Sequence, residues 1–323
     1  LHTFSVDYKD NARYFQKSHF QPTSDPDYIR RMAEYLDCVH HWTVLDTPAL
    51  AKALYAAVDA RDLPGMVDVD SSLLLFCGAI KQQVTVALSG ECADELFGGY
   101  PWYRDPDIRM TDGFPWAQST AYRMSFLREE FAQQIDGAAY VYQAYRTTAD
   151  HAPKLPDDSP LEARMREMMK LNLDWFMQTL LDRKDRMSMW SGLEVRVPFG
   201  DHRILEYVFN LPWAYKMENG HEKSLLREAM RGDLPERILW RKKSPYPKTH
   251  NPAYEERVLS MVRERIARKQ GFLHEYLDKK KLRDLLDGGD VTWFGQLMAR
   301  PQLLAWLYQL DVWAERYRVE WEF

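Results

Sequence analysis

Apolar positions in the first hundred residues follow two different periods. Short apolar or alternating runs at 1–6, 40–45 and 84–88 predict strands. The last run, VTVAL, has three β-branched residues and predicts a buried strand of a parallel sheet. Between these runs, apolar residues spaced three or four positions apart predict helices, which cover approximately 26–36, 47–60 and 70–80. This alternation of strand and helix is typical of an α/β fold with a parallel sheet.

The pattern changes after residue 104, and from residue 114 onward no strand is predicted. Helical spacing recurs in segments separated by prolines and polar loops. The predicted helices cover roughly 117–135, 138–147, 161–181, 202–210, 223–230, 254–270, 278–286 and 294–316. The chain is therefore expected to contain an α/β part at 1–104 and a mostly helical part at 105–323.

Composition narrows the classes of function. The 323 residues carry a formal net charge of −5, which gives no electrostatic basis for binding nucleic acid or an anionic membrane. No apolar run approaches the roughly 18 residues that a membrane span needs. The three cysteines have unrelated spacings, which predicts reduced thiols in a cytoplasmic protein and neither a disulfide set nor a zinc site.

The densest chemistry follows the run at 84–88, in the segment SGECADELFGGY at 89–100. Ligands of parallel sheets bind beyond the carboxyl ends of the strands, where this segment is expected. Ser89 and Gly90 can offer a hydroxyl and a backbone N–H to an anion, while Asp and Glu suit Mg²⁺. A polar turn with solvated acids is the alternative interpretation.

This segment resembles the SGEGADELFGGY signature of glutamine-hydrolysing asparagine synthetases, in their C-terminal synthetase domain. Further similar blocks follow in family order: DRMSM at 185–189, GLEVRVPF at 192–199, GHEKSLLR at 220–227, and the segment from Leu234 to Lys243. The resemblance implies a sheet of the ATP-pyrophosphatase (adenine nucleotide α-hydrolase-like) type. It makes 1–104 the nucleotide-binding part and 105–323 the helical part of one synthetase domain.

The resemblance also implies roles for individual residues near the nucleotide. Ser89 and Gly90 match positions that bind ATP, and the backbone at Val6 matches a contact to adenine, although Val6 is equally explained as core packing. Glu91 matches the glutamate that is needed to form β-aspartyl-AMP. Asp94 matches an aspartate that shares Mg²⁺.

Three basic residues complete the expected site. Lys243 matches an essential lysine that stabilises the phosphoryl transition state, with a solvated basic loop as the alternative interpretation. Lys223 is expected to meet pyrophosphate. Arg183 is expected to be catalytic, with a solvated charged face as the alternative. Its neighbours Asp185 and Arg186 are expected to hold their helix against the turn at 194–196.

The implied reaction forms asparagine from L-aspartate, ATP and ammonia, with ammonia delivered by a glutaminase domain. Two features depart from the family pattern: no SGGxDSS phosphate loop occurs in the 323 residues, and Cys92 stands where glycine is usual. The 323-residue chain is therefore expected to be a fragment that lacks the central strand of the sheet and is inactive alone. A homodimer is compatible with the sequence.

Two other functions stay open at this stage. A β-lactam-synthetase-like enzyme would adenylate a different carboxylate and close a ring. A non-catalytic nucleotide-binding or regulatory protein would explain the missing phosphate loop.

Overall fold

Parallel strand pairs and many helices make up the computed structural model, which describes residues 1–17, 21–289, 291 and 298–322. Strands β1 (His2–Tyr8) and β2 (Val39–Leu45) pair in parallel, with Val6 opposite Thr43. Strands β3 (Val86–Leu88) and β4 (Glu194–Arg196) form a second parallel pair. The protein is thus α/β, mostly helical, with a small amount of parallel sheet.

The helices of the first part connect these strands. They are α1 (Asn11–Tyr14), α2 (Pro26–Tyr35), α3 (Thr47–Arg61), α4 (Asp68–Lys81) and α5 (Ala93–Phe97). Helix α3 begins where the Asp46 side chain accepts a hydrogen bond from the Ala49 N–H at 2.8 Å, and it ends at Asp62 with a positive φ of 63°. The strands and helices predicted for 1–80 are confirmed to within a few residues.

Helices dominate the rest of the chain. In order they are α6 (Pro106–Arg109), α7 (Thr120–Met124), α8 (Glu129–Ile135), α9 (Gly137–Asp150), α10 (Pro160–Leu171), α11 (Gln178–Trp190), α12 (His202–Phe209), α13 (Trp213–Lys216), α14 (Ser224–Ala229), α15 (Glu236–Leu239), α16 (Pro252–Ala267), α17 (Phe272–Glu275), α18 (Lys279–Leu286) and α19 (Arg300–Tyr317). A π-helical segment, Asn172–Met177, joins α10 to α11 without interruption.

Several predictions for individual elements were wrong. The segment 117–135 forms two helices, because the chain turns at 125–128, where Arg128 donates its N–H to the Tyr276 carbonyl. The helix predicted for 161–181 continues to Trp190 through the π segment, because no proline or glycine breaks it. The start predicted for the last helix, Phe294, lies outside the described residues.

The strand predictions also need correction. Strand β4 lies in a region where none was predicted, because three residues, two of them charged, carry too little periodicity to be detected. Strand β3 is not buried: Val86 is 40% and Leu88 is 73% exposed. Its only ladder in the described part of the chain is with β4, and no ladder joins it to β1 or β2.

The main hydrophobic core lies between the β1–β2 pair and a group of helices. Its buried side chains include Tyr8, Leu54, Val258 and Leu304, and they come from β1, β2, α3, α4, α8, α16, α17, α18 and α19. A smaller core joins α3 and α4 to α11 through Leu73, Cys77 and Met187. These two cores hold α4 and α11 in fixed positions beside the end of β3. No helix among the described residues is long and apolar enough to cross a membrane.

Candidate active site

The carboxyl end of β3 delivers the acidic segment to one edge of its sheet. The Ser89 N–H donates to the Arg196 carbonyl at 2.9 Å, which extends the ladder with β4 by one residue. Gly90 is exposed, and a Cβ added there would meet nothing within 4 Å. The chain then turns at Cys92, whose φ is 73°, into α5. The predicted position of this segment, directly beyond a strand end, is confirmed.

Asp94 lies between two ammonium groups. Lys223 Nζ is 2.8 Å from Oδ1 and Lys243 Nζ is 2.7 Å from Oδ2. Burial alone would raise the pKa of Asp94, but the charges of Lys243 and Lys223 hold it well below its usual range. Asp94 is therefore an ionised carboxylate at every pH at which the protein is expected to work.

The second of the two glycines after α5 is required by this carboxylate. A Cβ at Gly99 would stand 1.9 Å from Asp94 Oδ1, so only glycine leaves room for the aspartate side chain. The Gly99 N–H also donates to the Asp94 carbonyl at 2.8 Å. The same tight turn thus fixes both the backbone and the side chain of Asp94.

Glu91 faces a second pair of cations, from helix α11. Its Oε1 is 3.4 Å from Arg183 Nη2 and 3.3 Å from Lys184 Nζ. Its Oε2 is buried and has no hydrogen-bond partner among the described residues. A carboxylate with one oxygen held and the other free is oriented but keeps an unused acceptor.

Arg183 is itself fixed by groups that the sequence analysis did not single out. It is only 4% exposed, its Nε lies 4.0 Å from Asp70 Oδ1, and its guanidinium lies 5.8 Å from the centre of the Tyr246 ring. Asp70 also pairs with Arg61 at 3.3 Å. A solvated charged face, the alternative for Arg183, is therefore wrong.

Asp70 and Tyr246 connect this arginine to the body of the protein. The Met66 N–H donates to Asp70 Oδ2 at 2.7 Å, and burial raises the pKa of Asp70. The Ser72 hydroxyl donates to the Tyr246 hydroxyl at 3.1 Å. Asp70 and Tyr246 do not belong to any of the sequence motifs. The only sequence signal near either residue was the predicted start of a helix at Asp70.

Two further expectations about local contacts have clear outcomes. Arg186 was expected to hold its helix against the turn at 194–196, which is wrong, because it pairs instead with Asp62 at 3.3 Å and Asp182 at 3.6 Å.

The thiols of Cys38, Cys77 and Cys92 are free, as predicted. Burial raises the pKa of Cys92 to about 12, so this thiol beside Glu91 stays protonated.

Val6 is a core residue of strand β1. It is 8% exposed, and its side chain packs in the main core. Strands β1 and β3, which carry Val6 and lead to Ser89, share no ladder in the described residues. The contact between the Val6 backbone and a nucleotide stays a prediction.

Asp94 has the chemistry that a magnesium ion needs. Mg²⁺ is held in phosphate-binding sites by one or two carboxylates, with phosphate oxygens and water completing its coordination. Among the described residues no group of three or more His, Cys, Asp or Glu side chains could hold a metal by itself. The ionised Asp94 fits the need for a carboxylate ligand, because each of its oxygens has a second lone pair beyond the one that faces a lysine.

Together these groups place two carboxylates and four cationic side chains at the end of a parallel strand, in an α/β protein. The chain belongs to the asparagine synthase family, which it matches over residues 1–315. It is 48% identical to the glutamine-hydrolysing asparagine synthetase 3 of Bacillus subtilis, over 99% of this chain and 52% of that protein.

More distant relatives have the same kind of name. Asparagine synthetase 1 of Bacillus subtilis is 30% identical over 52% of this chain and 31% of its own length. A putative asparagine synthetase of Mycobacterium tuberculosis is 28% identical over 69% of this chain and 39% of its own length. Almost all of this chain is matched by asparagine synthetase 3 of Bacillus subtilis, but the chain spans only about half the length of that relative.

Proposed function

We propose that this chain is the synthetase part of an enzyme that makes asparagine from aspartate, ATP and ammonia. The observation that carries the proposal is the arrangement beyond β3, where Glu91 and Asp94 each face two cations within 3.4 Å. Such a site offers oriented carboxylates and mobile positive charge to a triphosphate. The family membership and the names of the relatives support the same reaction, and an ATP-pyrophosphatase type of sheet is part of the proposal.

In the first step an oxygen of the aspartate side-chain carboxylate attacks the α-phosphorus of ATP. The bond from that phosphorus to pyrophosphate breaks, and β-aspartyl-AMP forms. In the second step ammonia attacks the acyl carbon, the bond to AMP breaks, and a proton leaves the nitrogen to give asparagine. Both steps develop negative charge on oxygens that positive groups can stabilise.

Each residue of the site has a proposed task. Ser89 and Gly90 bind the phosphates through a hydroxyl and an open backbone, and the Val6 backbone contacts adenine. Lys243 moves from Asp94 to the developing charge on phosphorus, and Lys223 meets the departing pyrophosphate. A lysine suits this exchange because its charge sits on a flexible stem.

Glu91 and Arg183 act as a pair in this proposal. Arg183, fixed by Asp70 and Tyr246, holds one oxygen of Glu91 and orients the carboxylate that would position the reacting aspartate or its ammonium group. Asp94 would hold Mg²⁺, which supplies charge neutralisation to the phosphates when it is bound. Ammonia would be delivered by a glutaminase domain.

Aspartate-dependent exchange of labelled pyrophosphate into ATP tests the proposal in the full-length protein, with MgATP present. The expected result is exchange that requires aspartate, and asparagine formation when ammonia is added. Nucleotide binding without exchange would favour a regulatory role, and exchange with another carboxylate alone would favour a sister amide-forming enzyme.

A further inference from the structure

Lys243 lies on a stretch of chain that has no regular structure. Residues 240–251, between α15 and α16, form neither helix nor strand. A side chain on such a loop keeps its position only if other parts of the protein hold the loop backbone. The contacts of the backbone near Lys243 therefore decide where its ammonium group lies.

Glu222 holds the backbone of Lys243 itself. The Lys243 N–H donates to Glu222 Oε1 at 2.8 Å. The same carboxylate accepts from Arg227 Nη2 at 3.0 Å and lies 3.4 Å from Arg104 Nη1. Glu222 is only 6% exposed, so its charge is satisfied by these groups and hardly by water.

Arg227 holds the backbone of two residues that precede Lys243 in the chain. Its guanidinium donates to the Leu239 carbonyl and, at 3.0 Å, to the Arg241 carbonyl. Its Nε donates to the Glu222 carbonyl at 2.7 Å. One buried arginine on α14 thus connects Glu222 to the end of α15 and to the loop that leads to Lys243.

Glu222 also precedes Lys223 directly in the chain. Glu222 therefore connects the two lysines that contact Asp94. It is joined to Lys223 by a peptide bond, and its side chain accepts a hydrogen bond from the Lys243 N–H. Lys223 has a positive φ of 57°, so its own backbone is constrained as well. A shift of Glu222 would move both ammonium groups.

We infer that Glu222 and Arg227 are positioning residues that set the placement of Lys243, and through it the rate of the chemical step. This inference rests on the proposed function. Neither side chain needs to touch a substrate for this role. The competing explanation is a network that stabilises the fold and has no specific effect on the rate.

The test uses Glu222→Ala, Glu222→Gln and Arg227→Lys in the full-length protein. Glutamine keeps an oxygen that can accept the Lys243 N–H, whereas alanine removes it. A displacement of a catalytic group by about 1 Å can cost about 10²-fold in rate. We therefore expect kcat for ammonia-dependent asparagine formation to fall by about 10- to 100-fold in Glu222→Ala and Arg227→Lys, with little change in KM, and Glu222→Gln to recover much of the loss.

Matched controls come from strand β4. Glu194→Gln and Arg196→Lys change the same residue types in an exposed ion pair, at 2.7 Å, on a different element from the loop. Both controls should keep wild-type kcat. Variants should also be compared by their thermal midpoints, so that a general loss of folding is separated from a loss of rate.

A second measurement does not depend on activity. Trypsin can cut after Arg241, Lys242 or Lys243, and release of the loop from Glu222 and Arg227 should speed cleavage there several-fold relative to the controls. The inference would be overturned if a folded Glu222→Ala protein had a wild-type kcat. It would also be overturned if that folded protein kept the wild-type cleavage rate in this loop. If the wild-type protein shows no aspartate-dependent exchange, the proposed function fails, and the cleavage comparison still decides whether the two residues hold the loop.

Discussion

Two carboxylates three residues apart, Glu91 and Asp94, meet different sources of positive charge. Glu91 faces cations from α11, whereas the cations at Asp94 come from the start of α14 and from the loop at 240–251. Asp94 has both oxygens occupied, and Glu91 has one oxygen without a partner among the described residues. The two acids therefore differ in how their oxygens are satisfied, which agrees with the different tasks proposed for them, Mg²⁺ binding for Asp94 and substrate positioning for Glu91.

Replacement of Glu91 by alanine should abolish aspartate-dependent ATP–pyrophosphate exchange in the full-length protein. The fold should persist, because Glu91 is half-buried at a turn and contributes nothing to the hydrophobic cores. The control is Glu194→Ala on β4, an exposed acid paired with Arg196 at 2.7 Å. Normal exchange in a folded Glu91→Ala protein would contradict the assignment.

Lys243→Met should reduce asparagine formation by about 10²-fold or more, the scale of removing one preorganised charged group from a transition state. Steady-state rates with ammonia as the nitrogen donor measure this step without any glutaminase activity. The neighbouring Lys242 is exposed, and Lys242→Met should leave the rate unchanged. Equal rates for the two variants would show that Lys243 is an ordinary loop lysine.

The turn between α5 and the following segment is the element that shapes the site. It brings the Gly99 backbone so close to Asp94 that no side chain fits between them. Helix α11 makes the other half of the site, because the π-helical segment before it continues one long helix as far as Arg183 and Lys184. Both elements act through backbone geometry, and the reactive side chains depend on it.

Gly99→Ala should therefore damage the site more than one added methyl group suggests. The new Cβ would stand 1.9 Å from Asp94 Oδ1, so the carboxylate must move away from one or both lysines. We expect pyrophosphate exchange to fall by at least about tenfold, since displacements of this size misplace catalytic groups. Gly78→Ala in α4 is the control, because its Cβ would make only an ordinary contact at 3.6 Å with Ser191 Oγ. Equal activity of the two variants would mean that the turn relaxes freely.

At the scale of the whole molecule, buried polar contacts join the α/β part to the last helix. Gln302 on α19 donates its Nε2 to Asp68 Oδ2 on α4 at 3.0 Å, and both residues are about 2% exposed. Burial raises the pKa of Asp68 from 3.8 to about 6, since removal from water penalises the charged form. Folding therefore favours the protonated form of Asp68 over the ionised one.

The raised pKa of Asp68 makes the stability of the folded protein depend on pH. The contribution of Asp68 to stability is fully present below pH 3.8, and it is lost as the pH rises through about 6. Asp68→Asn, which keeps an oxygen for Gln302, should remove this dependence and raise the free energy of unfolding at pH 7 by up to about 3 kcal/mol. Thermal midpoints between pH 4 and 7 measure the effect, with the exposed Asp157→Asn as the control. A parallel pH profile in wild type and Asp68→Asn would show that Asp68 does not titrate in this range.

Local sequence was enough for the parts of the protein that depend on near neighbours. Helices α3, α4 and α16 follow from apolar spacing, and α3 and α16 also begin at capping side chains. The segment at 89–100 follows from its position after a short apolar run. The family resemblance was confirmed over residues 1–315. The roles of Glu91, Lys243, Arg183 and the other site residues, and the division at residue 104, stay predictions.

Only the tertiary structure decided which groups meet at the site and which strands pair. The partners of Glu91 and Asp94 lie between 92 and 149 residues further along the chain, so no local period connects them. Strand β4 was missed, and β3 was wrongly expected to be buried, because pairing and burial depend on what packs against a short strand and not on its own residues. The hold of Glu222 on the Lys243 backbone likewise exists only in three dimensions, since a carboxylate that accepts a backbone N–H leaves no repeating pattern in the sequence.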